Sequence, residues 1–122
     1  DRYGLIHSDL VPENILVTAD GPMVIDFDDC GLGWFLYDYA SCVSRHEGGD
    51  SFDAIHNAWV EGYRGVSPLP DDILHEALTF RLARQIVRLG WLHGHRDSLY
   101  AADYTHIAIA AACRLARQFL DT

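Results

Sequence analysis

Two short segments hold the residue types that do chemistry. The first runs His7-Ser8-Asp9-Leu10-Val11-Pro12-Glu13-Asn14-Ile15-Leu16 and the second Val24-Ile25-Asp26-Phe27-Asp28-Asp29. In both, polar groups stand at the ends of apolar runs rather than on a solvated helix face. Asn14 precedes one such run and Asp26 follows the next, so antiparallel pairing of the two runs puts them side by side, with Asp9 able to converge on them. One carboxylate and one amide carbonyl form an oxygen-only ligand set. It suits a hard ion such as Mg²⁺, which takes few protein ligands and completes its octahedron with phosphate and water oxygens. Asp9, a free carboxylate nearby, is then placed to orient or deprotonate a hydroxyl that attacks a phosphate. Taken singly, the three are a turn residue, a cap-like residue and a strand-end acid; taken together, the functional reading is the stronger.

The elements that must position these groups are short. Leu5-Ile6, Ile15-Leu16-Val17 and Met23-Val24-Ile25 are apolar runs bounded by turn residues, and Thr18-Ala19-Asp20-Gly21-Pro22 carries the Asp-Gly turn signal of a β-hairpin. From about Phe35 the period becomes helical. Leu36 to His46 is ended by Gly48-Gly49, and Ser51 to Tyr63 has Asp50 as N-cap and Gly65 beyond its end. Pro70 opens a long helix with Ile73, Ala77, Leu78, Leu82, Ile86 and Leu89 at spacings of three and four, and Leu99 to Leu120 forms the last. Trp34, Phe35, Tyr37 and Tyr39 are expected to pack the first helix onto the hairpin. Gly31-Leu32-Gly33 is too short for a dinucleotide fingerprint and reads as a flexible loop end. The expected architecture is α+β and mostly α, one domain over 1–122, with the site in 4–34 and helices over about 35–121.

Composition bounds the partners. The 122 residues contain nine basic residues, all of them Arg, against 18 acidic ones, for a net charge of -9. Without Lys, a phosphate-loop Lys, a Schiff base and a Lys general base are excluded within this chain. The acidic balance argues against a nucleic-acid partner, whose backbone needs a basic stripe, and favours cationic or metal-chelated ones. No apolar run approaches the roughly 20 residues of a membrane span, and nothing in Asp1 to Leu10 resembles a signal peptide, so no membrane partner and a cytoplasmic location are expected. Cys30, Cys42 and Cys113 read as reduced, small buried hydrophobes, and His93 and His95 lack the further ligands of a zinc site.

With these residues in view, the sequence resembles the aminoglycoside phosphotransferase and choline kinase group of the kinase-like fold. HSDLVPENIL is similar to its catalytic loop, VIDFDD to its metal loop, and Tyr37-Asp38-Tyr39-Ala40 follows in the right order. The resemblance implies an ATP- and Mg²⁺-dependent transfer of the γ-phosphate to a hydroxyl of a small molecule, with a mostly helical C-terminal lobe. It makes Asp9 the catalytic base and gives Asn14 and Asp26 to Mg²⁺ and nucleotide. It has His7 brace the loop and Asp38 anchor the loop backbone. Asp28 is either a second metal ligand or a hairpin-end carboxylate facing solvent, and Asp29 is solvated or structural. Protein kinases carry Arg and Lys where Ser8 and Val11 stand, and Gly in place of Asp28. A small hydroxylated acceptor, cationic or not, is therefore preferred to a protein.

The resemblance also implies what this stretch lacks. A complete kinase of this kind has an N-terminal lobe with a phosphate-covering loop and a phosphate-pairing Lys, so the chain is expected to be a partial lobe, weak in nucleotide binding and inactive alone. Two other readings stand beside this one. Asp26-Phe27-Asp28 is similar to the first motif of haloacid-dehalogenase-type phosphatases, which expects Thr or Val at Cys30, a repeating strand-helix pattern and a later Lys. The other is a non-catalytic kinase-like binding or interaction module.

Overall fold

The computed structural model describes residues 2–122. Four short strands form two separate antiparallel ribbons. β1 (Tyr3–Ile6) pairs with β4 (Gly31–Trp34), and β2 (Ile15–Thr18) pairs with β3 (Gly21–Val24) in a hairpin closed by Ala19-Asp20. One 3-10 turn, Pro12–Asn14, leads into β2. Five helices follow: α1 (Phe35–Val43), α2 (Phe52–Arg64), α3 (Asp71–His75), α4 (Ala77–Gly94) and α5 (Leu99–Leu120). The mostly helical α+β architecture agrees with the sequence reading.

Several local expectations are corrected. Gly31-Leu32-Gly33 is a strand, not a flexible loop end. Its small residues allow close approach: a Cβ at Gly33 would strike Ile6, and one at Gly4 would sit 2.8 Å from the Phe35 ring. The segment after Pro70 is two helices, because the chain turns at Glu76 between α3 and α4. Ser51 rather than Asp50 caps α2, without a side-chain cap bond. Cys30 and Cys113 are exposed, and only Cys42 is partly enclosed. There, burial chiefly, with the neighbouring Asp38 charge, pushes the thiol up to about 11.

The aromatics pack away from the β2–β3 hairpin. Tyr39 of α1 joins Leu36, Val43, Val60 and Leu69 in one buried cluster with Trp59 and Tyr63 against it. Trp34 instead meets Tyr3 edge-on. A second cluster seals the α4–α5 corner through Leu92, Ala101 and Ala108. Ser98 starts α5 by accepting the Ala101 N–H at 3.1 Å. Its inner face is carried by Leu115 and by Ala108, Ala111 and Ala112, whose small side chains let α5 lie close on α4.

α4 is tied to the rest by polar contacts as well. The Glu47 side chain is 1% exposed and accepts both arms of Arg81, at 2.6 and 2.8 Å, and a third bond from Arg114 at 3.2 Å. Such a bidentate pair compensates the loss of hydration that each charge suffers on burial. One turn further along α4, Gln85 donates to the Ser44 carbonyl at 2.8 Å.

The Tyr39 hydroxyl bonds His56 Nδ1 at 2.7 Å. Burial is the main reason that its phenol is pushed up to about 12; the Glu47 charge adds to this and Arg81 opposes it. An unfolded chain loses this proton near pH 10, so the contribution of Tyr39 to stability is complete below that pH and is lost as pH rises towards 12. Tyr39→Phe should cost about 1 kcal/mol at neutral pH and flatten the loss of stability between pH 10 and 12. Urea titrations of both proteins across that range test this, and parallel declines would contradict it.

Candidate active site

Asp38, on the first turns of α1, organises the site. Its two carboxylate oxygens each accept a successive backbone N–H from the loop after β1, His7 N–H to Oδ2 and Ser8 N–H to Oδ1, both at 2.8 Å. Between these amides and Asp9 the chain turns sharply, with Ser8 at φ 70°, a left-handed conformation that a non-glycine residue adopts only when its surroundings enforce it. Ser41, one turn after Tyr37 on α1, donates to the Ser8 carbonyl at 3.4 Å. The buried His7 ring adds two more ties. Its Nε2 lies 2.9 Å from the Ile25 carbonyl, and its Nδ1 accepts the Asp9 N–H at 3.2 Å. The Nδ1 acceptor role makes Nε2 the protonated nitrogen, donating to Ile25. His7 thus bridges the two chemistry-bearing segments, and Phe27 packs on its ring at 4.9 Å.

The 3-10 turn then returns Asn14 to Asp9. Asn14 Nδ2 donates to the Asp9 carbonyl at 2.9 Å and to its Oδ2 at 3.2 Å. Both amide hydrogens are thereby engaged, and the amide oxygen of Asn14 has no hydrogen-bond partner among the described residues. Across the ribbon, Ile25 N–H bonds the Asn14 carbonyl at 2.9 Å, which sets Asp26 next in line. Asp26 is itself left-handed, at φ 62°, so the chain leaves β3 with an abrupt change of direction.

Asp9 and Asp26 both line a cavity of about 570 Å³ whose far wall is α4. Asn14 belongs to the cluster through Asp9. Asp29 reaches the cavity wall and Asp28 does not. Asp97 and Asp103 are exposed away from it. Among the described residues no three His, Cys, Asp or Glu side chains gather as a metal-binding group. A two-ligand oxygen site from Asn14 and Asp26 is compatible with that, since Mg²⁺ commonly takes only one or two carboxylates with substrate phosphates.

Arginines are the site residues that the motifs did not reveal. Arg84 of α4 donates through Nη2 to Asp9 Oδ1 at 2.6 Å and reaches the Ser8 carbonyl at 3.3 Å. Burial by itself would lower its pKa, but its contacts with Tyr37 and Asp9 outweigh burial and leave it raised. Arg45 and Arg88 line the same cavity. The signal was present in the sequence as Arg81, Arg84 and Arg88, a basic stripe at helical spacing in an acidic chain.

Comparisons with known proteins give the family and the fold. A model of the phosphotransferase enzyme family matches residues 1–69, more than half of the chain, and the chain belongs to that family. Over 95 residues, 77% of this chain, it is 28% identical to an uncharacterised protein of Synechocystis sp., of which it covers 26%. Among solved structures it is similar to a microcompartment-associated aminopropanol kinase, with a TM-score of 0.85 and 38% identity, covering 99% of this chain and 38% of that one. An amicoumacin kinase in complex with AMP-PNP, Ca²⁺ and Ami shares the fold, with a TM-score of 0.75 and 24% identity over 97% of this chain and 38% of that one. The chain therefore spans well under half the length of these relatives. The kinase-like fold leaves no place for the repeating strand-helix pattern of a haloacid-dehalogenase-type phosphatase.

Removing the Asp38 carboxylate strands two loop amides that it satisfies. Asp38→Ala should cost about 2 to 3 kcal/mol and speed amide exchange at His7 and Ser8 beyond the effect on α5. Uniform acceleration over the whole chain, or none at these two amides, would remove Asp38 from its role in holding the loop.

Proposed function

We propose that this chain forms the catalytic part of the C-terminal lobe of an ATP-dependent small-molecule kinase that transfers the γ-phosphate to a substrate hydroxyl. The observation that carries the reading is one cavity lined by Asp9 and Asp26, with Asn14 hydrogen-bonded to Asp9, in a chain of the phosphotransferase family. The 38%-identical aminopropanol kinase, itself a kinase of a small alcohol, supports the class of acceptor.

In this reading Asp9 accepts the proton of the acceptor hydroxyl as that oxygen attacks phosphorus. Its carboxylate is held on both sides, Oδ1 by Arg84 and Oδ2 by Asn14, so it faces the acceptor in one orientation. Phosphoryl transfer gains most from such positioning, because little covalent chemistry is left for the protein to do. Asn14 and Asp26 would hold Mg²⁺, which supplies charge neutralisation on the transferring phosphoryl group. The free amide oxygen of Asn14 and the carboxylate of Asp26 are hard donors of the right kind. Asp28 stays a solvent-facing carboxylate in this account.

A further lobe is expected to pack on this one in the whole protein and to complete the nucleotide site. The exposed apolar residues of the ribbons support that: Leu5 and Leu32 are each 74% exposed and Val17 is 92% exposed. The 122-residue chain by itself should bind MgATP weakly and turn over negligibly.

In a catalytically active form of the protein, Asp9→Asn should lower kcat by roughly two to four orders of magnitude, the usual range for a positioned base. KM for ATP should change little. ADP release with small alcohols as acceptors gives the readout, and unchanged turnover would take Asp9 out of this role.

A further inference from the structure

Three of the nine arginines of this acidic chain, Arg45, Arg84 and Arg88, converge on the cavity that holds Asp9. Two have carboxylate partners within it: Arg84 on Asp9 at 2.6 Å, and Arg45, whose Nε lies 3.3 Å from Glu13 Oε1 and which also donates to the Tyr100 hydroxyl. Arg88 differs. It is only 9% exposed and has no carboxylate within ion-pair distance among the described residues, so its buried Nε, unpartnered like those of Arg45 and Arg84, belongs to a guanidinium without a counter-charge. A guanidinium removed from water without a counter-charge is costly, and in a cleft such a group marks a candidate site for a ligand that supplies the missing charge. The unfavourable setting is visible in its pKa, lowered by burial first and by the charges of Arg45 and Arg84, with Tyr100 opposing.

We propose that Arg88, with Arg45 beside it, is the anchor for an anionic group, a carboxylate or phosphate, on the acceptor substrate. This rests on the kinase reading above and names the class of its acceptor: a small hydroxylated acid. Arg84, which touches Asp9, and Arg88 are one helical turn apart on α4 and line the same cavity, so one small molecule can present its hydroxyl to Asp9 and its anion to Arg88. Trp91 and Tyr100, which also line the cavity, offer apolar surface to the body of the molecule. Asp29 also lines the cavity and has no ion-pair partner among the described residues, so it can take an ammonium group on the same acceptor, and a hydroxy amino acid fits both charges. A purely cationic amino alcohol leaves Arg88 uncompensated.

The test compares ligands with and without the anionic group, titrated calorimetrically into the full chain without nucleotide. 4-Hydroxybutyrate against its amide reads a carboxylate, glycerol 2-phosphate against glycerol reads a phosphate, and 1-amino-2-propanol is the cationic control. One of the anions should bind at least about tenfold more tightly than its neutral partner, as a charge-assisted bidentate contact requires. Arg88→Met should bring that ratio close to one without changing affinity for the neutral partner, and Arg88→Lys should keep part of the preference. If Arg88→Met does not fold, the wild-type ratio and Arg88→Lys decide. Equal binding of charged and neutral partners by the wild type, a preference retained in Arg88→Met, or preference for the amino alcohol would each overturn the proposal. Displacement of the anion by Mg·AMP-PNP would also overturn it, by giving the subsite to nucleotide phosphates. Because no turnover is read, failure of Asp9 as a base leaves this result intact.

Discussion

Everything that the site does depends on one carboxylate accepting two consecutive backbone amides. Asp38 holds His7 and Ser8 at 2.8 Å each, and this fixes a loop that otherwise has no ladder of its own. A left-handed Ser8 in free solution would relax to an extended or helical conformation. Two charge-assisted hydrogen bonds outweigh that preference. The sharp turn at Ser8 leads directly into Asp9, and the same loop, through His7, takes hold of Ile25 just before Asp26. Asp38 sits on α1, whose Tyr39 and Val43 are buried in the main core. The loop geometry is therefore referred to the most tightly packed part of the molecule.

The second constraint is α4, which acts as core on one side and as site wall on the other. Arg81 is locked onto the buried Glu47 and Gln85 onto Ser44, so the helix is fixed in rotation as well as in place. With that rotation settled, Arg84 and Arg88 are directed towards Asp9 and the cavity rather than to solvent. A buried ion pair adds little net stability compared with apolar packing; here it fixes the rotational setting of a helix that carries functional groups.

The loop side of this arrangement was legible in the sequence and the helix side was not. Asp9, Asn14, Asp26 and Asp38 stand in short motifs whose spacing survives as geometry, and the hairpin that brings Asn14 to Ile25 was announced by its Asp-Gly turn. α5 was readable to its ends because its periodicity runs unbroken from Ser98. In contrast, β4 carries two glycines in four residues and looks like a loop; it is a strand because Gly33 makes room for Ile6 across the ribbon. On α4 the apolar period pointed to Ile86, which is exposed, while Gln85 and Arg88 are buried. Polar residues on a helix read as a solvated face unless a cavity lies against them, and a cavity is a tertiary feature that no single segment encodes. The exposed Cys30 and Cys113 were misjudged for a related reason, since residue type gives the average burial of a thiol and not its place in the fold.

The most direct measurement of the central claim is paramagnetic broadening of the labelled protein by Mn²⁺ in the presence of AMP-PNP. If the Asp38-held loop builds a metal-nucleotide site beside Asp9, resonances of Asn14 and Asp26 should broaden first, those of His7 and Asp9 next, and Asp28 no earlier than these. Broadening centred on an exposed acidic stretch such as Asp71-Asp72, or none at Asn14 and Asp26 at millimolar metal, would contradict the account.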